Sequence, residues 1–204
     1  MSEQTPSTIS FIMDENTISI FSIILQQGFQ VNAVVGCSLK SMLCDQFGVD
    51  PEYLSDRIQT IFLDGRPVDD VESTIITDGA TLALSAAMPG LVGATFRSGG
   101  PLSVFRSSIS HRGEGEKSGI PAKGMIILKF FNLLVREMGP AFLERGIFVE
   151  TFVIKNFIEE KKAVWDTVFR SIRIDGQKIG PDEFSILKWN EDQKLIRVTV
   201  QIEK

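Results

Sequence analysis

The sequence predicts an α+β protein of two similar units, each a mixed sheet with one packed helix, joined by a linker rich in glycine and serine. The main observation is a pattern that occurs over residues 61–68 and again, 111 residues later, over 172–179. Each copy reads apolar, any residue, apolar, Asp, Gly, polar, any residue, apolar. A repeat of this length indicates two domains, because the units of solenoid proteins span only roughly 20–50 residues.

The first unit begins with two apolar, β-rich stretches on either side of the turn-like residues 14–16, which we expect to form a hairpin or a strand with an N-terminal addition. Further along, Ser38 is placed to cap a helix that Gly48 ends. The pair Asp64-Gly65 is typical of a tight hairpin turn, since glycine accepts a positive φ. The predicted strands are 9–13, 17–25, 29–35, 58–63 and 80–87, with the helix between residues 38 and 48.

The second unit repeats the plan of strand, helix and strand. Asp175-Gly176 occupies the place of the first Asp-Gly pair, and apolar positions follow helical spacing after Thr151. The predicted elements are a long strand, or a strand running into a helix, over 125–135, an apolar segment over 142–149, a helix over 151–168, and strands over 169–174 and 195–202.

Glycines and prolines concentrate between the two units, where residues 107–119 carry little that could be buried. Such a composition is typical of a linker. We therefore predict an acidic first domain over residues 1–96, a Gly/Ser-rich linker over 97–123 and a second domain over 124–204. Cleavage within the linker is expected to leave two folded fragments.

Charge is distributed unevenly along the chain. Residues 1–95 hold three basic and twelve acidic side chains, residues 96–124 five and two, and residues 125–204 thirteen and twelve. An acidic first domain argues against nucleic acid as a ligand, because binding a polyanion depends on Lys and Arg at the phosphates. It suits a basic protein partner. The alternative is that the charge only keeps the domain soluble.

No segment approaches the roughly 18 consecutive apolar residues of a membrane-spanning helix. The first residues have neither the basic start nor the apolar run of a secretory signal. We therefore expect no membrane partner and a cytoplasmic location. Cys37 and Cys44 are too few for a disulfide framework or a four-thiolate metal site, and both are expected to be reduced and structural.

Two groups of residues resemble the small β-grasp (ubiquitin-like) sulfur carriers of thiamine and molybdopterin synthesis. Residues 125–131 followed by 136–139 are similar to the opening of those carriers, and residues 61–68 followed by 77–84 are similar to their later strands. The order of two strands, a helix and two or more strands is also the β-grasp arrangement. The resemblance implies two β-grasp units in tandem.

The resemblance also implies a chemistry. The carriers end in an exposed Gly-Gly whose carboxylate is adenylated by an activating enzyme and converted to a thiocarboxylate, whereas this sequence ends in Val-Gln-Ile-Glu-Lys. Two glycine-containing segments after the first unit could take that role only after proteolysis, and a turn or linker is their simpler interpretation. These candidate binding residues are Pro89, Gly90, Leu91, Val92 and Gly93, followed by Gly99 and Gly100.

The sequence offers no catalytic set. The single histidine, His111, lies in the polar linker, where neither a triad nor a histidine metal cage is expected. Cys37 precedes a helix, which could stabilise a thiolate, but a buried structural thiol is the simpler interpretation. Asp64 and Asp175 fit turn chemistry, and no glycine-rich segment has the pattern of a phosphate loop. We therefore predict no catalytic residue, no cofactor and no metal site.

Two hypotheses for function follow. The first is a non-enzymatic protein-binding module of tandem ubiquitin-like domains, which would bind through an exposed sheet face or an edge strand. The second is a sulfur carrier or protein modifier that acts through glycine at the end of the first domain, with an adenylating enzyme as its partner. The acidic run Asp69-Asp70-Val71-Glu72 is most simply a solvated loop, although a basic partner or a weakly held cation could use it.

Overall fold

The computed structural model describes residues 8–86, 90–97, 100, 110, 120–186, 189 and 194–203. The chain divides into two compact units. Unit 1 consists of the described residues of Met1–Phe29 and Met138–Lys204, and unit 2 consists of those of Gln30–Glu137. Both units combine strands and helices, in agreement with the predicted α+β class.

The described strands number ten, and they are divided equally between the two units. In chain order they are β1 (Thr8–Asp14), β2 (Phe29–Val35), β3 (Thr60–Leu63), β4 (Arg66–Pro67), β5 (Thr81–Ser85), β6 (Ala122–Phe131), β7 (Ile147–Glu150), β8 (Ser171–Ile174), β9 (Gln177–Ile179) and β10 (Leu195–Glu203).

The α-helices are short, and some continue into 3-10 or π-helical turns. They are α1 (Ser22–Gln27), α2 (Leu39–Ser41), α3 (Pro51–Asp56), α4 (Gly90–Phe96), α5 (Leu134–Glu137), α6 (Gly139–Arg145), α7 (Thr151–Lys161), α8 (Trp165–Val168) and α9 (Pro181–Ser185). The 3-10 turns are Glu15–Phe21 and Lys162–Val164, and the π-helical turn is Met42–Gln46. Within the described part of the chain, none of these helices has the length and apolar character that a bilayer span requires.

The sheet of unit 2 has a parallel pair of strands at its centre. Its strand order is β4-β3-β5-β6-β2. Strands β3 and β5 are antiparallel, with Leu63 opposite Leu82, and β5 and β6 are parallel, with Leu82 opposite Leu128. The helical segment after β2 begins at Ser38, whose hydroxyl accepts the N–H of Ser41 as predicted for a cap. The core of the unit includes the fully buried Leu39, Met42, Leu43, Leu82, Leu84, Ile126, Leu128 and Phe130.

The sheet of unit 1 has the same plan, in the order β7-β10-β1-β8-β9. Strand β1 lies between β8, which is antiparallel and places Ile174 opposite Ile9, and β10, which is parallel and places Val198 opposite Ile9. Phe11 of β1 contacts the ring of Phe21, with 5.1 Å between the ring centroids. The N-terminal strand of the chain therefore supplies the middle of this sheet.

The two Asp-Gly pairs form equivalent turns, which confirms that prediction. Asp64 and Gly65 have φ values of 48° and 78°, and Asp175 and Gly176 have values of 48° and 85°. A hairpin turn of type I′ needs positive φ at both central residues. The first turn joins β3 to β4 and the second joins β8 to β9, so the repeated sequence pattern is also a repeated structure.

Each Asp-Gly turn is tied to a neighbouring strand by the same pair of hydrogen bonds. The N–H of Thr81 donates to Oδ1 of Asp64 at 2.7 Å, and the N–H of Asp64 donates to the Thr81 carbonyl at 2.9 Å. In unit 1 the N–H of Thr8 donates to Oδ1 of Asp175 at 2.9 Å, and the N–H of Asp175 donates to the Thr8 carbonyl at 3.0 Å. Thr8 in β1 is therefore the structural counterpart of Thr81 in β5.

This correspondence shows that the strands pair across the boundaries predicted from sequence. β1, from the predicted domain 1–96, completes unit 1 by pairing with β8 and β10. β6, most of which lies in the predicted domain 124–204, completes unit 2 by pairing with β5. The two units therefore differ from the predicted domains 1–96 and 124–204 and the predicted linker 97–123. Strands of alternating apolar residues fit several partner strands equally well, and tertiary contacts decide among those partners. Most of the predicted linker, including His111, lies outside the described residues.

The prediction of a strand over residues 17–25 is wrong. This stretch forms a 3-10 turn followed by α1. Phe21, Ile24 and Leu25 are at most 2% exposed, and their spacing places all three on one helical face. Burial of that face overrides the β preference of the β-branched residues, which is a weak local effect. Likewise, the apolar segment 142–149 is divided between α6 and β7 at Gly146.

Candidate protein-binding groove

Unit 2 carries an open groove of about 290 Å³ between α3, β3 and the turn that follows β4. Its floor is apolar. Leu54, Ile58 and Ile61 line it and are 6%, 2% and 2% exposed. Pro51 and Val71 extend the apolar surface. The rim is polar and is formed by Lys40, Ser55, Asp69 and Glu72.

Helix α3 is held in place at both ends. Asp50 caps it, with Oδ1 accepting the N–H groups of Glu52 at 2.8 Å and Tyr53 at 3.2 Å. Beyond the last turn, the guanidinium of Arg57 forms a two-pronged ion pair with the carboxylate of Glu137 on α5, and the Tyr53 hydroxyl donates to the same carboxylate at 2.6 Å. These contacts fix the helix that supplies Leu54 to the floor.

The turn on the other side of the groove is held by Asp70. Its Oδ1 accepts the N–H groups of Glu72 at 2.9 Å and Ser73 at 3.1 Å, and its Oδ2 accepts the Ser73 hydroxyl at 2.6 Å. The Ser73 hydroxyl, followed by these N–H groups, lowers the pKa of Asp70. The Asp70 carboxylate therefore has a structural role, and it leaves the side chains of Asp69, Val71 and Glu72 to line the groove.

An ion pair crosses the rim. The Lys40 ammonium lies 2.5 Å from Oε1 of Glu72, and the two side chains are 41% and 66% exposed. The bond to Glu72 raises the pKa of Lys40. Such an exposed pair contributes little to stability, because solvent screens the two charges. Nearby, the Ser110 hydroxyl donates to Oδ2 of Asp69 at 3.2 Å. An incoming cation could therefore exchange with Lys40 at little loss of folding free energy.

The groove lies in the most acidic part of the chain. Residues 30–86 contain nine acidic and three basic side chains, a net charge of −6. Two of the three basic groups, Lys40 and Arg57, are paired with carboxylates. Several acidic residues have structural roles, since Asp50, Asp64, Asp70 and Asp78 accept backbone N–H groups. These roles explain part of the acidity, and the negative field that remains would attract a basic ligand.

Glu137 does not fit an acid–base role. The Arg57 guanidinium and the Tyr53 hydroxyl lower the pKa of Glu137 to about 2. Burial, together with the negative charge of Glu137, raises the pKa of Tyr53. At neutral pH the carboxylate is ionised and the phenol is protonated. This cluster therefore acts as a fixed ionic connection between α3 and α5.

Cys37 has the environment of a structural thiol. Its Sγ donates to the carbonyl of Val34 at 3.2 Å and accepts the side-chain amide of Gln46 at 3.3 Å. Burial is the main cause of a raised pKa, so the thiolate that nucleophilic chemistry needs is disfavoured. Gln46 also bonds to the N–H and the carbonyl of Val34, at 2.8 and 2.9 Å. In the described ranges, no three or more His, Cys, Asp or Glu side chains are grouped to hold a metal ion.

The glycine-containing segment suggested by the sulfur-carrier resemblance includes a short helix. Gly90 opens α4 with a φ of 75°, Leu91 and Val92 follow within it, and Gly93 is buried. Near the end of α4, Phe96 lies 5.3 Å, between ring centroids, from Phe62 of β3. The N–H of the buried Gly100 donates to the carbonyl of Arg97 at 3.1 Å. Pro89 and Gly99 lie outside the described residues.

One side of the groove is visible in the sequence, and the other side is not. The acidic run 69–72 was visible as a run of charge. The floor was not, because Leu54, Ile58 and Ile61 read as ordinary core positions of two successive elements. Comparisons with protein-family models, curated proteins and solved structures give no match for this chain.

Proposed function

We propose that this protein is a non-enzymatic binding module of two ubiquitin-like β-grasp units, and that unit 2 binds a basic segment of a partner protein in the groove. The observation that carries the proposal is the combination of an apolar floor at Leu54, Ile58 and Ile61 with a rim that includes Asp69 and Glu72. Binding sites commonly pair an apolar surface with a few polar groups that fix orientation.

The topology supports the β-grasp assignment. Each unit has a mixed sheet with a parallel pair at its centre, β5 with β6 in unit 2 and β1 with β10 in unit 1. A helical segment follows a corresponding strand in both units, after β2 and after β7. Under this proposal one central strand is separated in sequence from the rest of its unit. Strand β1 precedes unit 2 in the chain but pairs within unit 1, where it takes the place that β5 has in unit 2.

The sheet edges favour the groove over strand addition as the binding mode. Strand β4 lies at the end of the unit 2 sheet and spans only Arg66–Pro67. Short edge strands and proline protect a sheet from pairing with another chain. Strand β9, at the end of the unit 1 sheet, spans three residues with an exposed Lys178 at its centre. Neither edge offers the row of free backbone groups that strand addition uses.

Nothing among the described residues favours the sulfur-carrier alternative. A carrier needs a glycine carboxylate that an activating enzyme can reach. Gly93 is buried within α4, and Gly90 is followed by six further helical residues. Cleavage at either glycine would therefore require α4 to open first, which adds an unfolding step to the proteolysis.

Fluorescence anisotropy with a fluorescein-labelled peptide of alternating lysine and serine tests the proposal. We expect saturable binding that weakens as salt is raised, because rim charges act through solvent. The double variant Asp69→Asn/Glu72→Gln should bind about two- to tenfold more weakly. The matched control is Glu159→Gln/Glu160→Gln on α7 of unit 1, which removes the same charge from two exposed positions. Equal weakening in both double variants, or no saturable binding, would contradict the proposal.

A further inference from the structure

The position and ion pair of Lys40 indicate which chemical group the groove would bind. It is both a lining residue of the groove and the donor of the rim ion pair. Its N–H donates to the Val71 carbonyl at 3.0 Å, so its backbone is fixed against the turn that carries Glu72. The chain thus holds a lysine side chain of its own at the rim, with its ammonium on a carboxylate.

We propose that the groove is a specificity pocket for one lysine or arginine side chain of the partner, and that Lys40 occupies its anionic rim until that side chain displaces it. The aliphatic part of the ligand side chain would lie against Pro51 and Val71, above the buried floor formed by Leu54, Ile58 and Ile61. Its charge would reach Glu72 and Asp69. This inference rests on the proposed function and names the group that is recognised.

The chemistry of the walls selects this ligand. An acidic side chain would be repelled by the rim, and an aliphatic one would leave the rim carboxylates without a new partner. Lysine and arginine combine an apolar stem with a terminal charge, and they cover apolar surface while keeping that charge in water. The groove has a volume of about 290 Å³, which accommodates a side chain rather than a folded element.

The role of Lys40 has an unusual consequence for mutation. If Lys40 competes with the ligand, Lys40→Met should strengthen binding, because it keeps an unbranched side chain at the wall and frees Glu72. We expect the affinity to rise about two- to fivefold, the value of one exposed ion pair. Lys40→Arg should leave the affinity close to wild type, because it preserves the ion pair. The matched control is Lys178→Met on β9 of unit 1, which makes the same change in net charge at an exposed position.

The test uses ¹H–¹⁵N NMR titration of the full chain with Nα-acetyl-lysine N-methylamide. We expect saturable shifts at the amides of Leu54, Ile61 and Val71, with tighter binding in Lys40→Met than in wild type or Lys178→Met. Nα-acetyl-norleucine N-methylamide, which has the stem without the charge, and methylammonium, which has the charge without the stem, should each shift these amides far less. Equal shifts from norleucine, or an equal gain in Lys178→Met, would overturn the inference.

The two proposals fail separately. If the labelled basic peptide binds in a way that depends on Asp69 and Glu72, but the lysine probe leaves the groove amides unshifted, the specificity pocket is wrong and the binding module stands. If the peptide does not bind, the proposed function is wrong. If both the labelled peptide and the lysine probe bind but Lys40→Met does not increase the affinity, Lys40 does not compete with the ligand and the inference is wrong.

Discussion

Fragments of the chain offer the sharpest test of the exchanged strands. Residues 28–137 contain all five strands of unit 2 in one continuous segment, and we expect this fragment to fold alone. Fragments 1–96 and 124–204, cut at the boundaries that the sequence predicts, should not fold. The first lacks β6, and the second lacks β1.

The size of the effect follows from the side chains that each cut removes. Fragment 1–96 loses Ile126, Leu128 and Phe130, and all three are 0% exposed. Burial of such a side chain contributes roughly 1.5–3 kcal/mol, so the loss is about 5–9 kcal/mol. That is comparable to the whole stability of a typical domain, about 5–15 kcal/mol. Fragment 124–204 loses the equally buried set Ile9, Phe11 and Met13.

Urea denaturation followed by circular dichroism, with ¹H–¹⁵N NMR spectra of each fragment, would measure these outcomes. The 28–137 fragment should show a cooperative transition and dispersed amide signals, whereas 1–96 and 124–204 should show neither. Mixed together, the two predicted-domain fragments hold nine complete strands and all but the first two residues of β6, and they should regain dispersed signals. A cooperative transition in isolated 1–96, or its absence in 28–137, would refute the strand assignment.

Three further sets of substitutions test local features. At Gly65 and Gly176 a new Cβ meets nothing within 4 Å, so replacement with Ala or Val should cost about 1–2 kcal/mol through positive φ alone. Asn is larger than Ala but tolerates that region, so it should cost less than Ala, and urea midpoints that follow side-chain volume would contradict this. Glu137→Gln should destabilise the protein at neutral pH, where the carboxylate is ionised and paired with Arg57. Because folding lowers the pKa of Glu137 from 4.5 to about 2, the difference in urea midpoint between the variant and wild type should shrink as pH falls through that window and be gone below it. A difference independent of pH would contradict the ion pair. Gly146→Ala places Cβ 2.8 Å from Nη2 of Arg197. We therefore expect Gly146→Ala to lower the stability less in an Arg197→Ala background than in wild type. Additive losses in this double-mutant cycle would show that no clash exists.

Local backbone chemistry made the Asp-Gly turns predictable. Asp64-Gly65 and Asp175-Gly176 need only their own φ values and the strands beside them, which a short pattern encodes. The same holds for the Ser38 cap. Strand pairing is not encoded in this way. Thr8 and Thr81 both open strands of alternating apolar residues, and nothing local distinguishes which one receives which Asp-Gly turn.

The groove could be predicted only in part for a related reason. An acidic run is a property of one segment, and residues 69–72 show it in the sequence. A groove is a property of several segments brought together by folding. Leu54 and Ile61 line one surface only because α3 and β3 lie next to each other, and each is also a normal core position. Sequence alone could therefore suggest the charge of the proposed ligand but not the groove.

The placement of β1 in unit 1 sets an order of events on the ribosome. Unit 2 is contiguous in the chain and can close once β6 has emerged. β1 is synthesised early, but its parallel partner β10 follows about 190 residues later, which corresponds to roughly 10–40 s of translation. Until β8 emerges, about 160 residues after β1, Ile9, Phe11 and Met13 have no partner strand in their own unit. A nascent chain of this protein therefore carries an apolar strand whose sheet is complete only after β10 has been synthesised. Slow elongation prolongs the period in which chaperones can bind that strand.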